Sequence, residues 1–136
     1  MALVFPDGGE EIVLSYLTNK DTPEDLVVHL YSNNYTPVAE SEVGDFTEAT
    51  FSGYASITTE GADWTITAGD PTEAECVQVT FTCDANLQNE SIYGYYITRE
   101  TSGDLVYAER FPAGPYVVEN NGHEIRVTPR IQLDNA

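Results

Sequence analysis

Residues 91–133 alternate strand-forming runs with turn chemistry four times over, and few architectures accommodate that pattern. Residues 91–100 are rich in β-branched and aromatic side chains, and Thr101-Ser102-Gly103-Asp104 supplies a hairpin turn. Residues 105–111 read as the return strand. Pro112-Ala113-Gly114-Pro115 cannot lie inside a sheet and marks a corner. Residues 116–120 read as a third strand, and Asn121-Gly122 after them is the strongest short hairpin signal. In the last run Ile125, Val127, Ile131 and Leu133 point one way. Glu124, Arg126, Thr128, Arg130 and Gln132 point the other way. Pro129 lacks an N–H, so this strand lies at an edge or bulges there.

The rest of the chain extends the same reading. Asp7 followed by Glu10 resembles a capping box. Ile12, Val13, Tyr16 and Leu17 then form an apolar stripe at helical spacing, with Asn19-Lys20 as the stop. Residues 26–31 predict a strand buried on both faces. Residues 36–48 read as a loop, residues 51–58 as a strand, and Trp64 and Ile66 open another. Residues 76–83 read as one continuous strand. The expectation is a single domain over 1–136, mainly β, an antiparallel β-sandwich or open barrel with one short N-terminal helix. With 136 residues, such a chain buries enough surface to fold without staples.

Charge excludes partners. The chain has 23 acidic residues against five basic ones, Lys20, Arg99, Arg110, Arg126 and Arg130, for a formal net charge of −18. A nucleic-acid binder needs a basic footprint, which is missing here, and anionic membranes repel such a surface. The acids are spread along the chain, so no acidic tail stands apart. They read either as a solvated surface or as a docking face for a basic partner. No apolar run approaches a membrane span, and the first residues lack the positive region of a secretory signal.

Candidate chemistry is sparse. In one continuous strand Cys76 and Cys83 stand about 23 Å apart on opposite faces, which excludes a disulfide between them. Cys83, on the face of Val77, Val79 and Phe81, reads as a small buried hydrophobe. No zinc spacing, calcium loop or phosphate-binding glycine loop is present, so no metal or other cofactor is expected. Glu73 and Glu75 share a face but precede a strand in a loop. His29 reads as structural and His123 as solvated at a hairpin tip. Asp63, Asp70 and Asp84 end strands, where turn formation is the ordinary role. The chain therefore reads as non-enzymatic. The enriched group is tyrosine, nine in all. Tyr93 and Tyr95 share a face with Ile97 and Arg99, and Tyr31 and Tyr35 flank Asn33-Asn34. They read either as a half-buried core or as a protein or glycan contact face.

Several blocks carry a family resemblance. Leu30-Tyr31-Ser32-Asn33-Asn34-Tyr35-Thr36-Pro37, following an N-terminal helix, resembles a segment of certain small tailed-bacteriophage virion proteins. Phe51-Ser52-Gly53-Tyr54, Tyr93-Gly94-Tyr95-Tyr96-Ile97, Tyr107-Ala108-Glu109-Arg110-Phe111 and Ile125-Arg126-Val127-Thr128-Pro129 resemble its further blocks. The resemblance implies a β-rich particle component without catalytic residues, of the capsid decoration or cement type. The implied partner is the major capsid protein, with a homo-oligomer (dimer or trimer) on the particle. The implied location is the virion, assembled in the host bacterial cytoplasm, where thiols stay reduced. The alternative is a tail or fibre component, including a glycan-binding module. The expected interface residues are Tyr31, Asn34, Tyr35, Tyr93, Tyr95, Arg126 and Arg130.

Overall fold

The computed structural model describes residues 3–133. It is mainly β, with antiparallel pairing throughout and one helix longer than a turn. The elements in chain order are β1 (Leu3–Val4), α1 (Asp7–Leu17), β2 (Leu26–Tyr31), β3 (Ile57–Thr59), β4 (Trp64–Thr67), β5 (Thr72–Cys76) and β6 (Val79–Thr82). There follow β7 (Glu90–Ile92), β8 (Gly94–Arg99), β9 (Leu105–Arg110), β10 (Tyr116–Val118), β11 (Glu124–Val127) and β12 (Arg130–Leu133).

The central sheet has the order β1-β9-β8-β2-β3. Alternation gives β2 and β8 two buried faces. Val28, Leu30, Tyr95, Ile97 and Tyr107 face the main core, where they meet Val79, Phe81, Ile92, Val118, Ile125 and Val127 of the smaller sheets. Tyr31, Tyr96, Leu105 and Ala108 face a second core closed by Phe46 from the long loop. The smaller sheets are β10-β7, β11-β6 and β12-β5-β4.

Several expected elements divide where the chain changes sheet. The 76–83 run breaks at the exposed Val77, so Cys76 ends β5 while β6 pairs in another sheet. Both cysteines are buried and free. Cys83 sits with Val79 and Phe81 in the main core as expected, but Val77 does not join them. The 91–100 run breaks at Tyr93. Asn121-Gly122 does form a turn, with Gly122 at φ +92, but it closes no hairpin. The strand before it pairs with β7 and the strand after it with β6. Pro129 is buried and separates β11 from β12, which again lie in different sheets. Of the 51–58 run only Ile57 and Thr58 lie in a strand, β3.

The helix also departs from expectation in detail. Pro6 occupies the N-cap and offers no side-chain acceptor, while Asp7 lies inside the first turn with Glu10. Both carboxylates still favour the positive end of the helix dipole. Asn19 at φ 57 ends the helix as expected. Ile12 is buried, but Leu17 of the expected stripe faces solvent, so the apolar stripe is narrower than its spacing suggests.

Candidate functional site

Tyr31 and Tyr95 are core residues and offer no side chain to a partner: they are 0 % and 1 % exposed. The two tyrosines beside them behave differently. Tyr35 and Tyr93 are half-buried at the rim of the second core, with the Arg110 guanidinium 5.2 Å from the Tyr93 ring centre. Tyr93 and Tyr95 therefore do not share a face, because the break at Tyr93 shifts the alternation. Asn34, Arg126 and Arg130 are exposed. Arg126 bonds Glu124 at 2.7 Å and Arg130 bonds Glu75 at 2.9 Å. The structure does not assemble the seven expected residues into one surface.

Many carboxylates prove to be internal staples. Glu24 accepts bonds from Thr101 N, Ser102 N and Ser102 Oγ, which ties the 21–25 turn to the β8–β9 hairpin. Glu90 does the same for Thr50 and Phe51. Asp45 and Asp63 each accept the backbone N–H three residues earlier, closing two short 3-10 turns. His123 is likewise structural: its Nδ1 accepts from Glu119 N at 3.1 Å.

One constellation was illegible in the sequence. His29 on β2 bonds Glu48 through Nδ1 at 2.7 Å and Thr98 Oγ through Nε2 at 2.8 Å, and stacks on Tyr96. Carboxylate, imidazole and hydroxyl in series are the order of a nucleophilic triad. Burial decides against that role: Thr98 is 6 % exposed within a central strand, so a substrate carbonyl has no approach. The set instead ties the loop at Glu48 to β2 and β8.

Six carboxylates line a cleft of about 850 Å³. Its walls are the N-terminal half of α1, the loop 39–44 and the β8–β9 hairpin. Asp7, Glu11, Asp21, Glu40, Glu42 and Asp104 line it, against the single guanidinium of Arg99. That guanidinium is 8 % exposed and already engaged. It bonds Asp21 at 2.7 Å and also Asp104, with Glu24 at 3.5 Å and the Tyr16 ring beneath it. The Arg99 hydrogen bond holds the Asp21 carboxyl below the usual carboxylate range. Backbone donation from Ser102 lowers Glu24 likewise. Asp7, Glu11, Glu40 and Glu42 meet no basic side chain among the described residues. The site is thus a preformed anionic groove, fixed on one side by an internally neutralised arginine. Among the described residues no group of three or more His, Cys, Asp or Glu is placed to hold a metal ion.

No protein-family model, curated protein or solved structure matches the chain.

Proposed function

We propose that this protein is a non-enzymatic structural component of a tailed-phage virion, a decoration protein that binds and stabilises the major capsid protein lattice. The observation that carries the docking part is the anionic cleft: Asp7, Glu11, Glu40 and Glu42 are solvent-exposed, lack basic partners among the described residues and line one concave surface. Such a surface favours a basic patch on a partner, steers its approach and repels other acidic surfaces. The sequence resemblance to small tailed-phage virion proteins supports the particle as the location. Buried free thiols suit a protein assembled in bacterial cytoplasm.

Quantitative mass spectrometry of purified particles tests the role. A copy number matching the major capsid protein is the expected result. A copy number far below the lattice protein assigns the chain to the tail instead, and absence from particles removes the virion reading altogether.

A further inference from the structure

Sheet edges that face solvent present unpaired N–H and C=O groups, and soluble β proteins blunt them with charge, proline or bulges. The two edges of the β12-β5-β4 sheet differ sharply in this respect. On β12, Arg130 pairs with Glu75 and Pro129 adjoins the strand start. On β4, residues 64–69 read Trp-Thr-Ile-Thr-Ala-Gly, without a charge, a proline or a bulge. Ile66 is 76 % exposed.

The register shows which backbone groups are free. Val77 N donates to Asp63 O, in line with the pairs Thr65↔Glu75 and Thr67↔Glu73. Hydrogen-bonded pairs alternate along an antiparallel ladder. Thr65 and Thr67 therefore bond inward to β5, and the Asp63 C=O to Val77 beyond it, while Ile66 directs both its N–H and its C=O outward. The Trp64 N–H is taken by Gly61 O, which leaves the Trp64 C=O outward as well.

We propose that the outer edge of β4 is a strand-addition site that takes an extended, lysine- or arginine-bearing segment of a partner protein. The inference rests on the docking role proposed above and names a second contact for it. Backbone pairing at Ile66 supplies the bonds, and the exposed Ile66 side chain offers an apolar contact to every second residue of the added strand. Charge selects the occupant. Asp63 and Asp70 flank the edge, and a second copy would bring its own formal charge of −18. A basic segment is attracted where a second copy is repelled.

The test uses the full chain, uniformly labelled for amide NMR, with a blocked peptide of alternating valine and lysine and its valine–glutamate counterpart. The expected result is that the lysine peptide slows hydrogen exchange at the Ile66 amide by about tenfold at saturation, and the glutamate peptide does not. Ile66→Pro removes only an outward-facing donor, so the inward ladder survives and peptide protection of the edge is lost. Ile66→Lys, at an exposed position, repels the same peptide without touching the core. Thermal melts of both variants confirm the fold. Lysine-peptide binding that bypasses Ile66, or persists in both variants, overturns the edge site while leaving the docking role standing. Protection of Ile66 that rises with protein concentration alone assigns the edge to a second copy and overturns the inference. Absence of lysine-peptide binding overturns it too, while the particle copy number tests the docking role separately.

Discussion

Glu109 is the residue whose ionisation works against the fold. It sits on β9 directly opposite Tyr95 and is half-buried. Burial pushes its carboxyl above the usual range, against the lowering effects of the Tyr95 hydroxyl and of Arg130. The Tyr95 and Tyr107 hydroxyls beside it are buried without a well-aligned partner. A carboxyl raised in the folded state binds its proton more tightly there than in the unfolded chain. Its protonated form contributes stability in full below the ordinary glutamate range, about pH 4.3, and that contribution is lost as pH rises through the folded value. Glu109→Gln is therefore expected to raise the thermal midpoint at pH 7, with the gain shrinking as pH falls toward 4. Paired calorimetric melts across that range check it, and a gain that does not depend on pH would assign the effect to packing. Asp21 and Glu24 act in the opposite direction. Their lowered carboxyls stabilise the fold above the ordinary carboxylate range and lose that effect as pH falls below it. Acid therefore loosens the Arg99 cluster while it relieves Glu109.

Among the elements, the β8–β2 contact depends on a missing side chain. A Cβ at Gly94 would strike the Glu109 carbonyl on β9 and the Tyr31 hydroxyl from β2. That hydroxyl donates to Tyr35 O at 3.0 Å and holds the long loop over the second core. Gly94→Ala is expected to cost about 2–3 kcal/mol through overpacking. Gly44→Ala, with open space around the new methyl, stays within about 0.5 kcal/mol of neutral. Urea melts of the two variants give both numbers, and similar losses in the two would remove the steric argument. Such close approaches are invisible to periodicity, which explains what the sequence could and could not show. Local alternation was legible where one strand stays in one sheet, as in residues 26–31 and 124–127. It was blind to sheet changes at Val77, Tyr93 and Pro129, because a strand reads the same whichever neighbour it pairs with. A repeated local pattern was present but unread. Glu42-Val43-Gly44-Asp45-Phe46 and Glu60-Gly61-Ala62-Asp63-Trp64 both form a 3-10 turn closed by the aspartate and followed by an aromatic in extended conformation. The cleft was illegible for another reason: its acids come from four segments scattered between residues 7 and 104. At Tyr31 and Tyr95 the core alternative holds over the contact face, a choice periodicity could not make, because an aromatic on a strand looks the same whether it faces a core or a partner.

For the whole molecule, two electrostatic terms of opposite sign compete, and salt separates them. Self-repulsion from a formal charge of −18 is long-ranged and acts against the compact state. The attractive term is a handful of ion pairs. Those of Arg126 and Arg130 are exposed and worth about 0–1 kcal/mol each. The Arg99 pairs centre on a buried guanidinium and are screened less. At about 10 mM ionic strength the Debye length is about 30 Å, so carboxylates repel one another across the domain. At about 0.15 M it is about 8 Å, and only neighbours still interact. Repulsion is the term that salt removes first. The thermal midpoint is therefore expected to rise between these two ionic strengths, whereas the proposed docking of the anionic cleft onto a basic surface is expected to weaken over the same interval. Calorimetry of the free chain and a particle-binding titration, run in the same buffers, check the two signs together. A midpoint that falls with salt would mean that the ion pairs outweigh the repulsion. Binding indifferent to salt would take the electrostatic contribution away from the cleft and leave apolar contact and strand pairing to hold the partner.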